Sequence, residues 1–330
     1  MSVMISGGTG FVGLNVVEAL LSRGERVVCY AVDSPPDAAV RALAKLPGEL
    51  IVERGDVRDA DAFASALRRH AVDRLFPFAA ITSGPERERD APERVLEVNL
   101  LGFVAQLRAA RDAGVRRVIA PSSSSVYGDR AYGAGPMDEV ATPCIPASVY
   151  GVSKYALERT ALRLGALWEM DVIAARIGPV FGPWERDTGL RDTLSVYWHL
   201  ARAATGGENA VLPPVIPANP WVYSRDVASA LVHLLDVVNP EARVFNISTG
   251  IATSEGVLDW ARRLRGAYPG WTWRQSADPA EVTIALGDMR DRAAMSVARI
   301  GATGWTPRYS PELAFADYIA WIGANPGGFG

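Results

Sequence analysis

The run Val3-Met4-Ile5-Ser6-Gly7-Gly8-Thr9-Gly10-Phe11-Val12-Gly13 decides how the rest of the chain is read. A short apolar stretch of strand length leads into glycines three residues apart, and a helical apolar pattern of Val16, Val17, Leu20 and Leu21 follows. Between a strand and a helix, Gly7 permits a tight turn and Gly10 lets backbone approach a phosphate. Gly13 lets helix and strand pack closely, so the helix N-terminus meets the negative charge. The pattern points to a dinucleotide site contacted by Gly7, Gly10, Phe11 and Val12.

Working outward, strand-like runs at residues 3–6, 26–32, 50–53, 75–79, 118–121 and 172–177 alternate with helix-like stretches at 13–23, 38–45, 60–70, 92–113 and 148–169. This rhythm predicts a doubly wound parallel α/β sheet of the Rossmann kind, with strands buried on both faces. After Gly178 the rhythm changes. Helical patterns at 194–205, 224–238, 253–268 and 311–322 are separated by loops rich in Gly and Pro. The expected division is a nucleotide-binding domain over 1–177, with residues 221–250 returning to it, and a smaller, mainly substrate-binding α/β domain over 178–330.

Of the 330 residues, 49% are apolar and 22% charged, as in ordinary globular proteins, and the net charge of -3 offers no basic footprint for nucleic acid. No apolar run reaches the roughly 18 residues a membrane helix needs. A strand beginning at Val3 leaves no room for a signal peptide. Cys29 and Cys144 form no disulfide framework, and His199 and His233 lack partners at metal-ligand spacing. A reducing, cytoplasmic setting without a metal is expected.

Tyr150 and Lys154 stand four apart on a helical stretch, so one turn brings ammonium beside phenol. A free tyrosine titrates near 10 and makes a poor base unless its anion is stabilised by positive charge. Such a pair, in a chain carrying a dinucleotide turn, suits hydride transfer to a nicotinamide, with Tyr150 moving the alcohol proton. Asp33 is the candidate ribose ligand at the end of the second strand, or else a turn residue before Pro35-Pro36. No Arg follows before Arg41, which favours NAD over NADP.

With Tyr150-Gly151-Val152-Ser153-Lys154 preceded by Ser122-Ser123-Ser124-Ser125-Val126-Tyr127-Gly128, the chain resembles the extended short-chain dehydrogenase/reductase family, also called the NAD-dependent epimerase/dehydratase family. Asp56-Val57, Ala79-Ala80, Asn99 with Gly102, Pro179-Val180, Arg225-Asp226-Val227 and Gly304-Trp305-Thr306-Pro307 extend the likeness over nearly the whole chain. The resemblance implies Ser123 as the hydroxyl that orients the reacting oxygen, with Ser124 as the alternative if the loop shifts. It also implies that Asp56, Val57, Ala79, Ala80, Asn99, Pro179 and Val180 line the NAD site, and that Lys154 reaches the nicotinamide ribose.

The chain also departs from that family. Ser124 and Ser125 replace the acidic residues that dehydratases place before Val126-Tyr127-Gly128, so elimination of water lacks its acid and base. Gly178 and Asn219 replace the Asn and Arg that epimerases turn toward a nucleotide diphosphate, which weakens a nucleotide-sugar substrate. Arg186, Arg191, Arg225, Arg290 and Arg292 are the remaining cations, with Arg186 and Arg225 candidate substrate ligands beside Ser83, Ser124 and Gly178. The run Glu86-Arg87-Glu88-Arg89-Asp90 reads as a solvated, mutually paired face, and most of the nine tryptophans as core.

The expected activity is NAD-dependent oxidation of a secondary alcohol on a small sugar or sugar acid. The alternatives are a sugar or nucleotide-sugar epimerase that oxidises one carbon transiently, and a non-catalytic NAD-binding regulator. The resemblance further implies a homodimer through a four-helix bundle made from residues 92–113 and 148–169.

Overall fold

Strand β1 (Ser2–Ser6) is buried along its whole length because it runs through the middle of a sheet covered on both faces. The computed structural model describes residues 2–329. β1 leads into α1 (Phe11–Ser22), then β2 (Arg26–Ala31), α2 (Asp37–Leu43), β3 (Glu49–Arg54), α3 (Ala60–Arg69) and β4 (Val72–Pro77). Helices α4 (Pro85–Asp90), α5 (Pro92–Leu96) and α6 (Gly102–Asp112) precede β5 (Arg117–Ser123), α7 (Val149–Leu167) and β6 (Asp171–Ile177).

The sheet has seven parallel strands in the order β10-β6-β5-β4-β1-β2-β3, the seventh being β10 (Val244–Ile247). Strand order reverses between β1 and β4, and the crevice outside their carboxyl ends is where such sheets bind ligands. Period-two alternation builds a core on each side. Val3 and Ile5 pack with Leu14, Val17 and Leu231 on one face, while Met4 and Val28 meet Phe63, Phe103 and Leu157 on the other.

The second half returns to the sheet through α9 (Ser224–Asp236), which packs on α1, and through β10. Ser224 Oγ donates to Asn15 Oδ1 at 2.9 Å across the α1–α9 contact. Arg117 donates to the carbonyls of Leu235, at 3.1 Å, and Val237, satisfying groups that the end of α9 leaves open. The other late elements are β7 (Val180–Phe181), α8 (Val196–Gly206), β8 (Ala210–Leu212), β9 (Val222–Tyr223), α10 (Glu255–Ala267), β11 (Trp273–Gln275), α11 (Ala298–Ala302) and α12 (Pro311–Ala324). β7 pairs with β9 and β8 with β11 in two small parallel sheets.

Tryptophans fill this region as expected of core residues: Trp260 and Trp321 pack with Tyr318, and Trp184 meets Trp321 edge to face. Two local features differ from the sequence expectation. The helix expected over 92–113 is interrupted by a π-turn at Glu97–Leu101, which rolls Asn99 into the interior. The charged run at 86–90 lies within a short helix, α4.

Candidate active site

Gly7 adopts φ +65°, and a Cβ there would lie 2.7 Å from the backbone N of Ala79. A Cβ at Gly13 would come within 2.4 Å of the Gly7 carbonyl, so helix and turn touch backbone to backbone. Gly10 caps α1 without a side-chain bond. The first N–H groups of the helix, at Phe11 and Val12, therefore have no intrahelical partner and face the ligand side of the turn. This cradle fits a dinucleotide diphosphate. Ala79 and Ala80 follow β4 beside it, and Asp33 is exposed past the end of β2.

The other expected cofactor residues divide into two groups. Val57 is buried against Gly102, and Val180 is buried and pairs with Val222. The Pro179 carbonyl accepts from Val222 N at 2.9 Å. Asp56 gives its carboxylate to Arg58, with contacts of 2.6 to 3.1 Å that hold its pKa below the usual range. Asn99 makes its hydrogen bonds within the protein. Its carboxamide accepts from Ile81 N at 2.8 Å and donates to Ile81 O at 2.9 Å and Ser153 Oγ at 3.1 Å. It shapes the loop after β4 and ties that loop to α7.

Helix α7 carries the reactive pair. Ser148 Oγ accepts from Gly151 N at 3.0 Å as N-cap, and the Glu88 carboxylate accepts from Tyr150 N at 3.0 Å. The inward face is Gly151, Lys154, Leu157, Glu158, Ala161 and Gly165, so polar groups break an otherwise apolar stripe. Glu158 closes on Arg176 of β6 at 2.7 Å and accepts from Ser122 at 2.7 Å, leaving its charge paired inside the core.

Ser123 and Thr82 are the hydroxyl neighbours of the Tyr150 phenol, each acting to lower its pKa. Lys154 Nζ lies 5.7 Å from the centre of the Tyr150 ring. Ser123, Tyr150 and Lys154 are thus assembled from the end of β5 and one turn of α7. Burial raises the Tyr150 pKa, opposed by the Ser123 bond, the Arg191 charge and the Thr82 bond. Lys154 is 3% exposed, and desolvation brings its pKa down to about 8. Ser124 is buried behind Ser123, and Ser125 donates to Ser123 Oγ at 3.0 Å.

Residues 182–195 run from β7 to α8 across this region. Thr82 and Arg191 form a bridge, with Thr82 N donating to Leu190 O at 2.9 Å. Arg87 grips Asp192, at 2.7 Å, and the Gly189 carbonyl, also at 2.7 Å. The charged run at 86–90 therefore fastens this segment and the start of α7, rather than only facing solvent. Fully buried Glu185 accepts from Ser195 N and Oγ at 2.8 and 2.6 Å and pairs with Arg191 at 3.2 Å. That pairing and the bond from Arg191 Nε to Thr193 O, at 2.8 Å, hold the guanidinium over the Phe11 ring, where its charge acts on Tyr150. Thr82, Glu88 and Glu185 carry no local sequence signal for these roles.

The expected substrate ligands have these surroundings. Arg225 is held by Glu18 at 2.8 Å and Asp317 at 2.7 Å, between α1, α9 and α12. Arg186 donates to Thr9 O of the glycine turn at 2.6 Å and so sits on the cofactor side. Gly178 is closely packed, since a Cβ would press on Ile247 O and Met295 Sδ, both at 3.2 Å. Ser83 donates to Glu88 at 3.0 Å. Of the remaining cations, Arg290 lies over the Tyr132 ring and pairs with Asp288 at 2.9 Å. Arg292 Nε and Asn219 Oδ1 are buried without partners among the described residues, and Arg292 N donates to Ala218 O at 2.9 Å beside Asn219.

A parallel sheet with a glycine cradle at its switch point, and a Ser-Tyr-Lys set beside it, matches the model of the NAD dependent epimerase/dehydratase family over residues 3–248. The chain belongs to that family. It is 33% identical over 269 residues to a sterol demethylase protein B of Methylococcus capsulatus, covering 81% of this chain and 75% of that protein. It is 26% identical to a UDP-glucose 4-epimerase of Streptomyces lividans, covering 99% of this chain and 97% of that one. Among solved structures, MoeE5 in complex with UDP-glucuronic acid and NAD superposes with a TM-score of 0.76 at 26% identity, over 98% of this chain and 99% of that one. The protein is an NAD-dependent enzyme of dehydrogenase or epimerase type. No helix among the described residues is long and apolar enough to cross a membrane.

Proposed function

We propose that this enzyme oxidises a secondary alcohol on a small sugar or sugar acid. The observation that carries the reading is the Tyr150 phenol with Ser123 as its hydroxyl neighbour and the Lys154 ammonium 5.7 Å from its ring centre. NAD, held by the glycine turn and the residues after β4, supplies the hydride acceptor. Ser123 and Thr82 steer the substrate hydroxyl to the phenol oxygen, and Tyr150 takes its proton as hydride leaves the same carbon. Lys154 and Arg191 favour the anionic form of Tyr150, the form that accepts this proton.

A free sugar acid suits the unfilled donors and acceptors better than a nucleotide diphosphate. Asn219 offers a buried acceptor where epimerases of the family place a cation, and Arg292 beside it has one free buried donor for a carboxylate. The second reading is epimerisation, in which the hydride returns to the opposite face. Likeness over nearly full length to a UDP-glucose 4-epimerase favours it.

Absorbance at 340 nm, with NAD and a panel of sugars, sugar acids and nucleotide sugars, separates the two. Stoichiometric NADH supports dehydrogenation, and isomers without net NADH support epimerisation. Intact NAD binding with neither product supports a non-catalytic regulator.

We also propose a cytoplasmic homodimer. Leu101 is 62% exposed, and Leu167 of α7 is 56% exposed, on the two helical stretches expected to pair. A solution mass of one chain in light scattering overturns the dimer.

A further inference from the structure

Arg186 lies on the segment that crosses the active site, yet its side chain reaches back to the glycine turn. Its Nη2 donates to Thr9 O at 2.6 Å. Its Nη1 is buried without a partner among the described residues. Burial pushes its pKa down, and the charge credited with opposing this is Asp33, past the end of β2. A desolvated guanidinium with an idle donor is costly to hold in a fold. At the same turn the opening N–H groups of α1 also lack partners, since Gly10 caps the helix without a side-chain bond. Two independent sets of unclaimed donors, one of them cationic, thus meet at Thr9-Gly10.

We propose that Arg186 is a cationic ligand of the NAD diphosphate, brought to it from the segment between β7 and α8. The glycine turn supplies neutral backbone donors and the helix end a partial positive charge. Arg186 adds a full charge and a second in-plane donor, a geometry suited to phosphate oxygens. Asp33 already sets a negative charge toward Arg186, and the diphosphate would supply a directly bonded one. Arg186 thereby joins the cofactor to a segment anchored at its far end by Arg87 and Asp192.

The test is calorimetric titration of the full, cofactor-stripped chain with NAD, ADP-ribose and adenosine, for wild type, Arg186→Gln and Arg186→Lys. Loss of a charged hydrogen-bond partner is expected to weaken NAD and ADP-ribose roughly tenfold or more. Adenosine, which has no phosphate, should change by less than about twofold, and Arg186→Lys should fall between wild type and Arg186→Gln. Unchanged ADP-ribose affinity in Arg186→Gln overturns the proposal, as does equal weakening of ADP-ribose and adenosine. If Arg186→Gln does not fold, Arg186→Lys decides alone, with the phosphate-bearing ligand weakened more than adenosine as the supporting result and equal or no weakening as the opposing one. These affinities are independent of substrate, so their failure leaves the dehydrogenase reading standing.

Discussion

Replacing Lys154 by methionine is expected to stabilise the cofactor-free protein while ending its activity. Lys154 is 3% exposed, and burial takes its pKa from 10.5 to about 8. A fall of about 2.5 corresponds to roughly 3 kcal/mol, at about 1.4 kcal/mol for each unit. Methionine fills similar space with no charge to desolvate. At roughly 2.1 cal/mol/K of unfolding entropy per residue, the 330-residue chain should gain about 4 °C in Tm.

The sign with pH follows from the direction of the shift. The folded pKa lies below the unfolded one, so the cost of the buried charge is fully present below about pH 8 and is relieved as pH rises toward 10.5. The advantage of Lys154→Met should therefore be largest at pH 7 and shrink between pH 8 and 10.5. Differential scanning calorimetry of both NAD-stripped proteins across that range reads it directly. A variant no more stable than wild type at pH 7, or a difference that ignores pH, would refute the reasoning.

Three further outcomes are expected. Tyr150→Phe should keep the fold and NAD affinity but slow NADH formation about 10²- to 10⁴-fold in the 340 nm assay, the usual contribution of a positioned proton acceptor. Wild-type turnover should fall as pH rises past about 8 because Lys154 loses its proton, and Lys154→Arg should shift or remove that limb in a pH–rate profile. Glu158→Gln should cost about 3–5 kcal/mol in urea unfolding, since it leaves Arg176 charged and buried.

Much of the fold was written in short-range pattern. The glycine turn, the alternation of apolar runs and the Tyr-Lys spacing each depend on residues within a few positions of one another, so β1, β2, β5, β6 and α7 sit within about two residues of where the pattern puts them. What escaped depends on distance in the chain. The π-turn that rolls Asn99 into the interior is a backbone event without a composition cue. Arg186 and Arg225 read alike as candidate substrate ligands. Glu18 and Asp317 claim one and the glycine turn the other, and these partners lie far away in sequence. Thr82 and Glu88 became part of the site only when residues 182–195 were laid across the loop after β4. Burial raises the Tyr150 pKa in the protein by itself, a desolvation that no spacing encodes.

The late return of α9 and β10 to the sheet bears on how the chain is made. A ribosome that has released only the first 177 residues presents β6 as a bare parallel edge and α1 without the helix that covers it. The missing pieces arrive with Ser224–Asp236 and Val244–Ile247. At about 5–20 residues per second, the roughly 70 intervening residues keep that edge open for several seconds. Unpaired strand edges of this kind invite contact with other chains. Translation rate, and the help of holding factors over that interval, should therefore govern soluble yield more than the stability of the finished fold does.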